Sequence, residues 1–97
     1  MQFEWDSKKA QTNLKKHGVS FDEAKTVFFD PLGYIFDDKW HATNEERELI
    51  IGNSRFQKML IVSFIERQEG IIRIISARQV TKKERIEYEQ NRFAPTK

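Results

Sequence analysis

A chain of 97 residues, 38% of them hydrophobic, has room for one core, so we expect a single domain spanning residues 1–97. The absence of cysteine excludes disulfides and thiolate metal sites and is typical of a reducing compartment. The sequence shows neither an apolar signal region nor the roughly 20 apolar residues of a membrane span, so we expect a cytoplasmic protein without membrane contact. The net charge of +2 is small, but basic residues cluster early and late and acidic ones in the middle, as in proteins that bind polyanions.

The N-terminus predicts a short strand followed by a helix. Phe3 and Trp5 alternate with polar residues and are typical of a strand. Asp6 can cap a helix over residues 7–17, on which apolar residues recur at helical spacing. Gly18 directly follows and is suited to a left-handed C-cap, so both ends of this helix are marked by local signals.

A second helix is predicted soon after the first. Ser20 and Glu23, three residues apart, form the capping-box pattern that opens a helix. The pair Asp30-Pro31 should end it, because a residue before proline avoids the helical region. The connection between the two helices is so short that they are predicted to form a helical hairpin.

The rest of the chain predicts strands and a last helix. Four runs are rich in apolar and β-branched residues: residues 34–36, 47–51, 58–67 and 71–80. Their short connections imply antiparallel neighbours, and their nearly continuous apolar character indicates that both sheet faces are partly covered. Thr81 and Glu84 form a second capping box, opening a helix to about Phe93. We therefore predict an α+β fold with an N-terminal helical hairpin, a central antiparallel sheet of three to five strands and a C-terminal helix.

The last predicted strand and helix carry residues suited to phosphate chemistry. Arg73 and Arg78 are five residues apart on one strand, so they point to opposite faces unless a bulge intervenes or Arg78 lies beyond the strand end. Arg85 and Tyr88 are three apart on the helix and share a face. Arginine matches phosphate geometry, and a tyrosine hydroxyl can donate to a leaving oxygen. On these residues alone, however, ion pairs of the arginines with acids and packing of the tyrosine are the better explanation.

Two histidines are candidates for proton transfer, because histidine titrates nearest to neutral pH. His17 is explained by its place at a helix C-terminus, where a cation suits the helix dipole. His41 lies in a polar connection close to Glu46 and Arg47. There a carboxylate could orient the ring and an arginine could hold a phosphate, although a surface histidine is the simpler interpretation.

Metal and cofactor sites find no support in the spacing of the residues. The sequence contains no H-E-x-x-H or EF-hand pattern and no Walker or Rossmann glycine motif, so we expect neither a metal nor a cofactor. By elimination, the chemistry that this chain could support is metal-free RNA cleavage. In that reaction the ribose 2′-OH is the nucleophile, and the protein needs only a base, an acid and cations around the phosphate.

Two groups of residues resemble a known family. The first comprises Phe3-Glu4-Trp5-Asp6, Lys9, Asn13, Lys16-His17-Gly18-Val19-Ser20-Phe21 and Glu23-Ala24. The second comprises Glu46-Arg47, Gly52, Arg73-Ile74-Ile75-Ser76-Ala77-Arg78 and Glu84-Arg85-x-x-Tyr88. In this order and spacing they resemble BrnT-type toxins of bacterial toxin–antitoxin pairs, over about residues 3–88.

The resemblance implies a fold, an activity and a partner. The fold would be RelE-like, and the activity a ribonuclease that cleaves RNA and inhibits translation. A ribbon-helix-helix antitoxin of the BrnA type would neutralise the toxin. The pair would repress its own operon, so operator DNA is expected to bind only through the antitoxin complex.

By position, the resemblance also implies a set of catalytic residues: His41, Glu46, Arg47, Arg73, Arg78 and Tyr88. The arginines would bind and neutralise the phosphate, while either His41 or Glu46 would take the 2′-OH proton. Tyr88 would position the nucleotide or donate a proton.

Three further basic residues are predicted to contact RNA outside the catalytic set, namely Arg67, Lys82 and Arg85. The chain departs from the family at one point, where the usual His-Ser pair reads His41-Ala42. If the missing hydroxyl takes part in the reaction, this departure predicts weaker activity.

Two other functions stay open. A non-catalytic module of the same fold would bind nucleic acid or an acidic protein without cutting RNA. Direct DNA binding by the chain itself is the second, although no helix-turn-helix pattern is recognisable. Footprinting of an operator by this chain alone would favour the second, and binding to RNA without cleavage would favour the first.

Overall fold

A computed structural model describes residues 1–38 and 47–91. The strands in these ranges are β1 Gln2–Glu4, β2 Tyr34–Asp37, β3 Glu48–Asn53, β4 Met59–Gln68 and β5 Ile71–Gln79. The helices are α1 Ser7–His17, α2 Phe21–Thr26, which continues into a 3-10 turn over Val27–Phe29, and α3 Lys82–Glu89. The predicted α+β class is confirmed. None of the described helices is long and apolar enough to cross a membrane.

The described strands form one five-stranded sheet in the order β1-β5-β4-β3-β2. Neighbours from β2 to β5 are antiparallel, as their connections predicted. In contrast, β1 lies parallel to β5, with Gln2 opposite Ile71 and Glu4 opposite Arg73. The predicted central antiparallel sheet is thus confirmed for β2 to β5, whereas the edge strand β1 is parallel. Residues 5–70 separate β1 from β5, so no short turn fixes their relative direction.

The core lies between one face of the sheet and the helices α1 and α2. Its buried apolar residues come from both layers: Val19, Phe21, Ala24, Val27, Ile50, Leu60, Val62, Phe64, Ile72, Ile74 and Ala77. Phe28 meets Phe64 edge to face, with ring centroids 4.9 Å apart, which ties the 3-10 turn to the centre of the sheet. We call this side of the sheet the helical face.

The bounds of α1 agree with the prediction because its two caps are local. The Asp6 carboxylate accepts hydrogen bonds from the backbone N–H groups of Lys8 and Lys9, at 2.8 and 3.0 Å. Gly18 adopts a φ of 70° and donates its backbone N–H to Leu14 O. Both helices α1 and α2 pack against β5 rather than along each other, so the predicted helical hairpin is not supported.

The capping box predicted at the start of α2 is only half formed. The Ser20 hydroxyl accepts from Glu23 N at 3.0 Å, as expected. The Glu23 side chain, however, is buried and accepts from the Ser54 hydroxyl at 2.8 Å. A partner from the β3–β4 turn has thus replaced the backbone N–H that a local motif would have used. The second capping box, between Thr81 and Glu84, is complete.

The strand β3 ends at Asn53, two residues beyond the end of the predicted run 47–51, so Gly52 and Asn53 belong to the strand. Gly52 lies against the Asp30 carboxylate, where an added Cβ would come within 3.0 Å of an oxygen. The same carboxylate accepts from Asn53 N at 2.7 Å. The glycine therefore permits the close approach of β3 to the Asp30 turn.

Candidate functional site

A bulge in β5 decides which residues share the outer face of the sheet. Ile74 is opposite Phe64 and Ser76 is opposite Ser63, which leaves Ile75 as the extra residue. The extra residue shifts the alternation of side chains by one position, so residues that are five apart across the bulge point to the same face. Arg73 and Arg78 therefore lie on the same face, opposite the helical face. Of the two ways that the sequence left open, the bulge is the one observed, since Arg78 lies within β5.

This outer face, here called the arginine face, combines arginines with serines and aromatic residues. Residues directly opposite each other on neighbouring strands point to the same side of the sheet, so the strand register shows which residues belong to this face. Its members are Arg73, Ser76 and Arg78 on β5, Ile61, Ser63 and Ile65 on β4, Leu49 and Ile51 on β3, and Tyr34 and Phe36 on β2. With one residue bulged out, the two arginines are four rungs apart, or about 13 Å along the strand.

Arg73 lies at the end of the arginine face beside β1. Its Nη1 donates to the Glu4 carboxylate at 3.1 Å, across the parallel pair of strands. Arg67 Nη1 approaches the same carboxylate at 3.8 Å. One arginine predicted to be catalytic and one predicted to contact RNA thus meet around the same acid.

Arg78 is bound at the other end of the face by the first turn of α3. Its Nη1 and Nη2 donate to the two Glu84 oxygens at 2.8 and 2.9 Å, in a bidentate ion pair. These hydrogen bonds, helped by those from Thr81, lower the pKa of Glu84 to about 2, and they raise the pKa of Arg78. Because Glu84 also completes the capping box, this pair fixes the start of α3 to β5.

The end of α3 reaches the opposite edge of the sheet. The Tyr88 hydroxyl donates to Leu32 O at 2.9 Å. Burial, followed by the nearby Asp30 charge and the Tyr34 hydroxyl, raises the pKa of Tyr88. Tyr34, Phe36, Tyr88 and Asn91 line a cavity of about 290 Å³. Three aromatic side chains around a cavity on the same face as the arginines could hold a planar ring.

Ser63 is the feature of this face that the sequence prediction missed. It is 7% exposed, and its hydroxyl has no hydrogen-bond partner within the described part of the chain. A buried polar group without a partner costs stability and is uncommon in folded proteins. The signal was a single serine inside the apolar run Ile61-Val62-Ser63-Phe64, which the sequence interpretation treated only as a strand.

The other predicted site residues are more dispersed. Arg85 pairs with Glu89 along α3 at 3.5 Å, and Lys82 is exposed in the first turn of that helix. Arg47 directly precedes β3, and its carbonyl accepts from Asp38 N at 3.0 Å. His41 and Glu46 lie outside the described residues, so their place in the site stays a prediction.

The ion-pair interpretation of Arg73, Arg85 and Tyr88 describes their present contacts correctly. Each arginine has a carboxylate partner, and the tyrosine anchors its helix to the turn before β2. The described residues contain no group of three or more His, Asp or Glu side chains that could hold a metal ion. The groups that this face offers to a ligand are arginine and aromatic side chains.

Comparison with known proteins identifies the family. A family model described as the ribonuclease toxin, BrnT, of type II toxin–antitoxin systems matches residues 5–84. The chain belongs to the BrnT family. It is also similar to the crystal structure of the Brucella abortus ribonuclease toxin BrnT, with a TM-score of 0.66 and 25% sequence identity over 84% of this chain and 99% of that one. A search of curated proteins gave no match.

Membership confirms the resemblance seen in the sequence. The chain is a toxin of a type II toxin–antitoxin system and belongs to a family of ribonuclease toxins. Membership in the BrnT family also implies an antitoxin as partner and RNA as substrate.

Proposed function

We propose that the chain is a metal-independent endoribonuclease that cuts RNA on its arginine face. The observation that carries the proposal is the bulge at Ile75, which puts Arg73 and Arg78 on one side of the sheet. The cavity lined by Tyr34, Phe36 and Tyr88 opens on that same side. Cations for a phosphate and aromatic surface for a base are the two contacts that a single-stranded RNA substrate requires.

Arg73 is the better placed of the two arginines to bind phosphate. Within the described residues it makes one hydrogen bond, from Nη1 to Glu4, which leaves most of its five donors for a ligand. Arg78 is held by both Glu84 oxygens, so a phosphate would have to share it with that carboxylate. Arg73 should therefore contribute contact with the phosphate, and Arg78 mainly charge and the position of α3.

The cleavage step uses the substrate's own hydroxyl. The ribose 2′-oxygen attacks the phosphorus while the P–O5′ bond breaks, leaving a 2′,3′-cyclic phosphate and a 5′-hydroxyl. His41 or Glu46 takes the proton from the 2′-OH, and a second group returns one to O5′. Tyr88 is our candidate for that donor, since it lines the cavity on this face and its phenol O–H is a donor that now bonds Leu32 O. Arg47 would add positive charge near the phosphate.

A pair of double variants tests the placement of the site. Arg73→Ala/Arg78→Ala removes two positive charges from the arginine face. Arg55→Ala/Lys58→Ala removes the same charge from the β3–β4 turn. Loss of phosphate-stabilising groups should slow RNA cleavage roughly a hundredfold or more in the first variant and leave the second near the wild type. Wild-type cleavage by the first variant would exclude this face as the site.

The partner proposal extends the family assignment. We expect a ribbon-helix-helix antitoxin of the BrnA type to neutralise the toxin and to join it in repressing their operon. Operator footprinting separates the roles of the two proteins. Protection by the antitoxin complex but not by the toxin alone is the expected result, and protection by the toxin alone would contradict it.

A non-catalytic RNA-binding module is the second candidate. The observation in its favour is that Arg73 and Arg78 both contact carboxylates, which partly neutralise them. Such a module would bind RNA with an affinity that falls steeply with salt, yet leave the RNA intact. Salt-dependent binding without any cleavage, in the presence and absence of ribosomes, would favour this candidate.

A further inference from the structure

Helix α1 is basic along its whole length. It carries Lys8, Lys9, Lys15 and Lys16 and ends in His17, while none of its 11 residues is acidic. None of these lysines forms a salt bridge within the described part of the chain. The N-cap residue Asp6 is the acid next to the helix, and its carboxylate is already occupied by two backbone N–H groups. The helix therefore carries a net positive charge.

This helix lies along the part of β5 that no strand covers. Pairing of β5 with β1 ends at Arg73. Further along the same edge, the Asn13 side chain bonds the backbone of Ala77, accepting from its N–H at 3.0 Å and donating to its carbonyl at 2.8 Å. Between these points the bulged residues Ile75 and Ser76 face α1 across a groove of about 310 Å³. The α1 side of this groove consists of Lys8, Lys9, Thr12, Asn13, Lys16 and His17.

The α1 groove is continuous with the arginine face. Ser76 lines the groove and is also opposite Ser63 on the arginine face, between Arg73 and Arg78. Between the two surfaces lies the Asp6 carboxylate, which is close to both Lys9 and Arg73, so the continuous path runs over Ser76. Hydrogen bonds from Lys9 N and Lys8 N lower the pKa of Asp6, and the charges of Lys9 and Arg73 lower it further. An anionic chain bound to the arginines could thus pass round the edge of β5 into the groove.

We propose that the α1 groove binds the sugar–phosphate backbone of RNA next to the segment held on the arginine face. This inference rests on the proposed function. Phosphate contacts in nucleic-acid complexes come mainly from lysine, arginine and hydroxyl side chains, and the groove offers three lysines, Thr12 and Ser76. A protein partner is less well matched, because protein interfaces centre on aromatic anchors and the lining contains no Phe, Tyr or Trp side chain.

The test measures binding to an RNA oligonucleotide that carries 2′-O-methyl groups, since it cannot be cleaved through the 2′-oxygen. The groove variant is Lys9→Gln/Lys16→Gln, and the control is Lys15→Gln/Lys58→Gln, which removes the same charge from positions outside the lining. All four side chains are exposed, so both variants should melt like the wild type. Fluorescence anisotropy over a series of salt concentrations gives the affinity and its salt dependence.

Loss of two phosphate contacts should make the slope of log affinity against log salt shallower by about 1.4 in the groove variant. Its affinity at low salt should fall about tenfold, while the control stays near the wild type. An unchanged slope in the groove variant, or an equal loss in both variants, would overturn the inference. So would retained RNA binding together with lost antitoxin binding, which would assign the groove to a protein partner.

The same variants keep this inference separate from the proposed function. Cleavage that survives in Arg73→Ala/Arg78→Ala contradicts the arginine face as the catalytic site but says nothing against the groove. If the groove variant binds the oligonucleotide like the wild type while that arginine variant fails to cleave, the groove inference alone is wrong.

Discussion

The two faces of the sheet differ in how far their polar side chains are hydrogen-bonded. On the helical face the buried polar side chains have hydrogen-bond partners. Asn13 makes three hydrogen bonds, and Glu23 accepts from Ser54. On the arginine face Ser63 has no hydrogen-bond partner within the described residues, and the ion pairs of Arg73 and Arg78 are partly exposed. Buried polar groups with hydrogen-bond partners stabilise the fold, whereas the partly exposed arginine N–H groups are available to a ligand.

The largest effect on stability is expected from Asn13→Ala. The Asn13 amide donates to Val19 O at 2.9 Å and bonds both backbone groups of Ala77 on the strand-free edge of β5. Its removal leaves three buried backbone groups without partners, which should lower the free energy of unfolding by about 3 kcal/mol. Urea denaturation measures this. A loss below about 1 kcal/mol would mean that water or α1 movement replaces these bonds.

A pair of serine substitutions sharpens the comparison of the faces. Ser54→Ala removes the donor to the buried Glu23 carboxylate and should cost about 2 kcal/mol. Ser63→Ala removes a buried hydroxyl that has no partner in the described residues, so stability should stay the same or rise slightly. Both variants are compared in the same urea series. Equal losses would contradict the proposed difference between the faces.

The ion pair between Arg78 and Glu84 predicts a smaller, pH-dependent effect. The pKa of Glu84 is lowered in the folded protein from 4.5 to about 2. The pair therefore stabilises the fold at pH values above 4.5, the pKa of Glu84 in the unfolded chain. That stabilisation should be lost as the pH falls from about 4.5 to 2. Because the pair is partly exposed to solvent, Glu84→Gln should cost only about 1 kcal/mol at pH 7.

Unfolding of wild type and Glu84→Gln between pH 7 and pH 2 tests this. The difference should shrink as the pH falls, and Glu89→Gln, which loses a more exposed partner of Arg85, should differ little from the wild type throughout. A difference that is constant with pH would show that the carboxylate charge is not responsible.

A comparable loss is expected from Gly18→Ala. Gly18 has a φ of 70° and no atom within 4 Å of an added Cβ, so the cost is purely conformational, about 1 kcal/mol. A lower melting temperature should result. An unchanged melting temperature would contradict the left-handed C-cap.

Features with short-range causes could be predicted from the sequence. The helix over residues 7–17 follows from Asp6 and Gly18, which act within a few residues, and the capping box at Thr81 is equally local. The half-formed box at Glu23 was mispredicted because its carboxylate takes a donor 31 residues away. The parallel position of β1 depends likewise on long-range contacts, since its partner strand β5 begins only at Ile71.

The candidate site was predicted in its chemistry but not in its geometry. The sequence shows that Arg73 and Arg78 are suited to phosphate, but their common face depends on a bulge whose position is set by pairing with β4. The sequence also gives no sign that Tyr34 and Phe36 lie near Tyr88, since β2 and α3 meet only in the folded chain. The lysines of α1 were visible as a basic cluster, yet the groove exists only because β1 ends at Glu4.

The most direct test of the proposed activity is incubation of the purified chain with bulk RNA in excess EDTA, beside Arg73→Ala/Arg78→Ala. We predict cleavage by the wild type alone, with 2′,3′-cyclic phosphate or 3′-phosphate ends. Intact RNA with the wild type, or equal cleavage by both proteins, would contradict a metal-independent ribonuclease with its site on the arginine face.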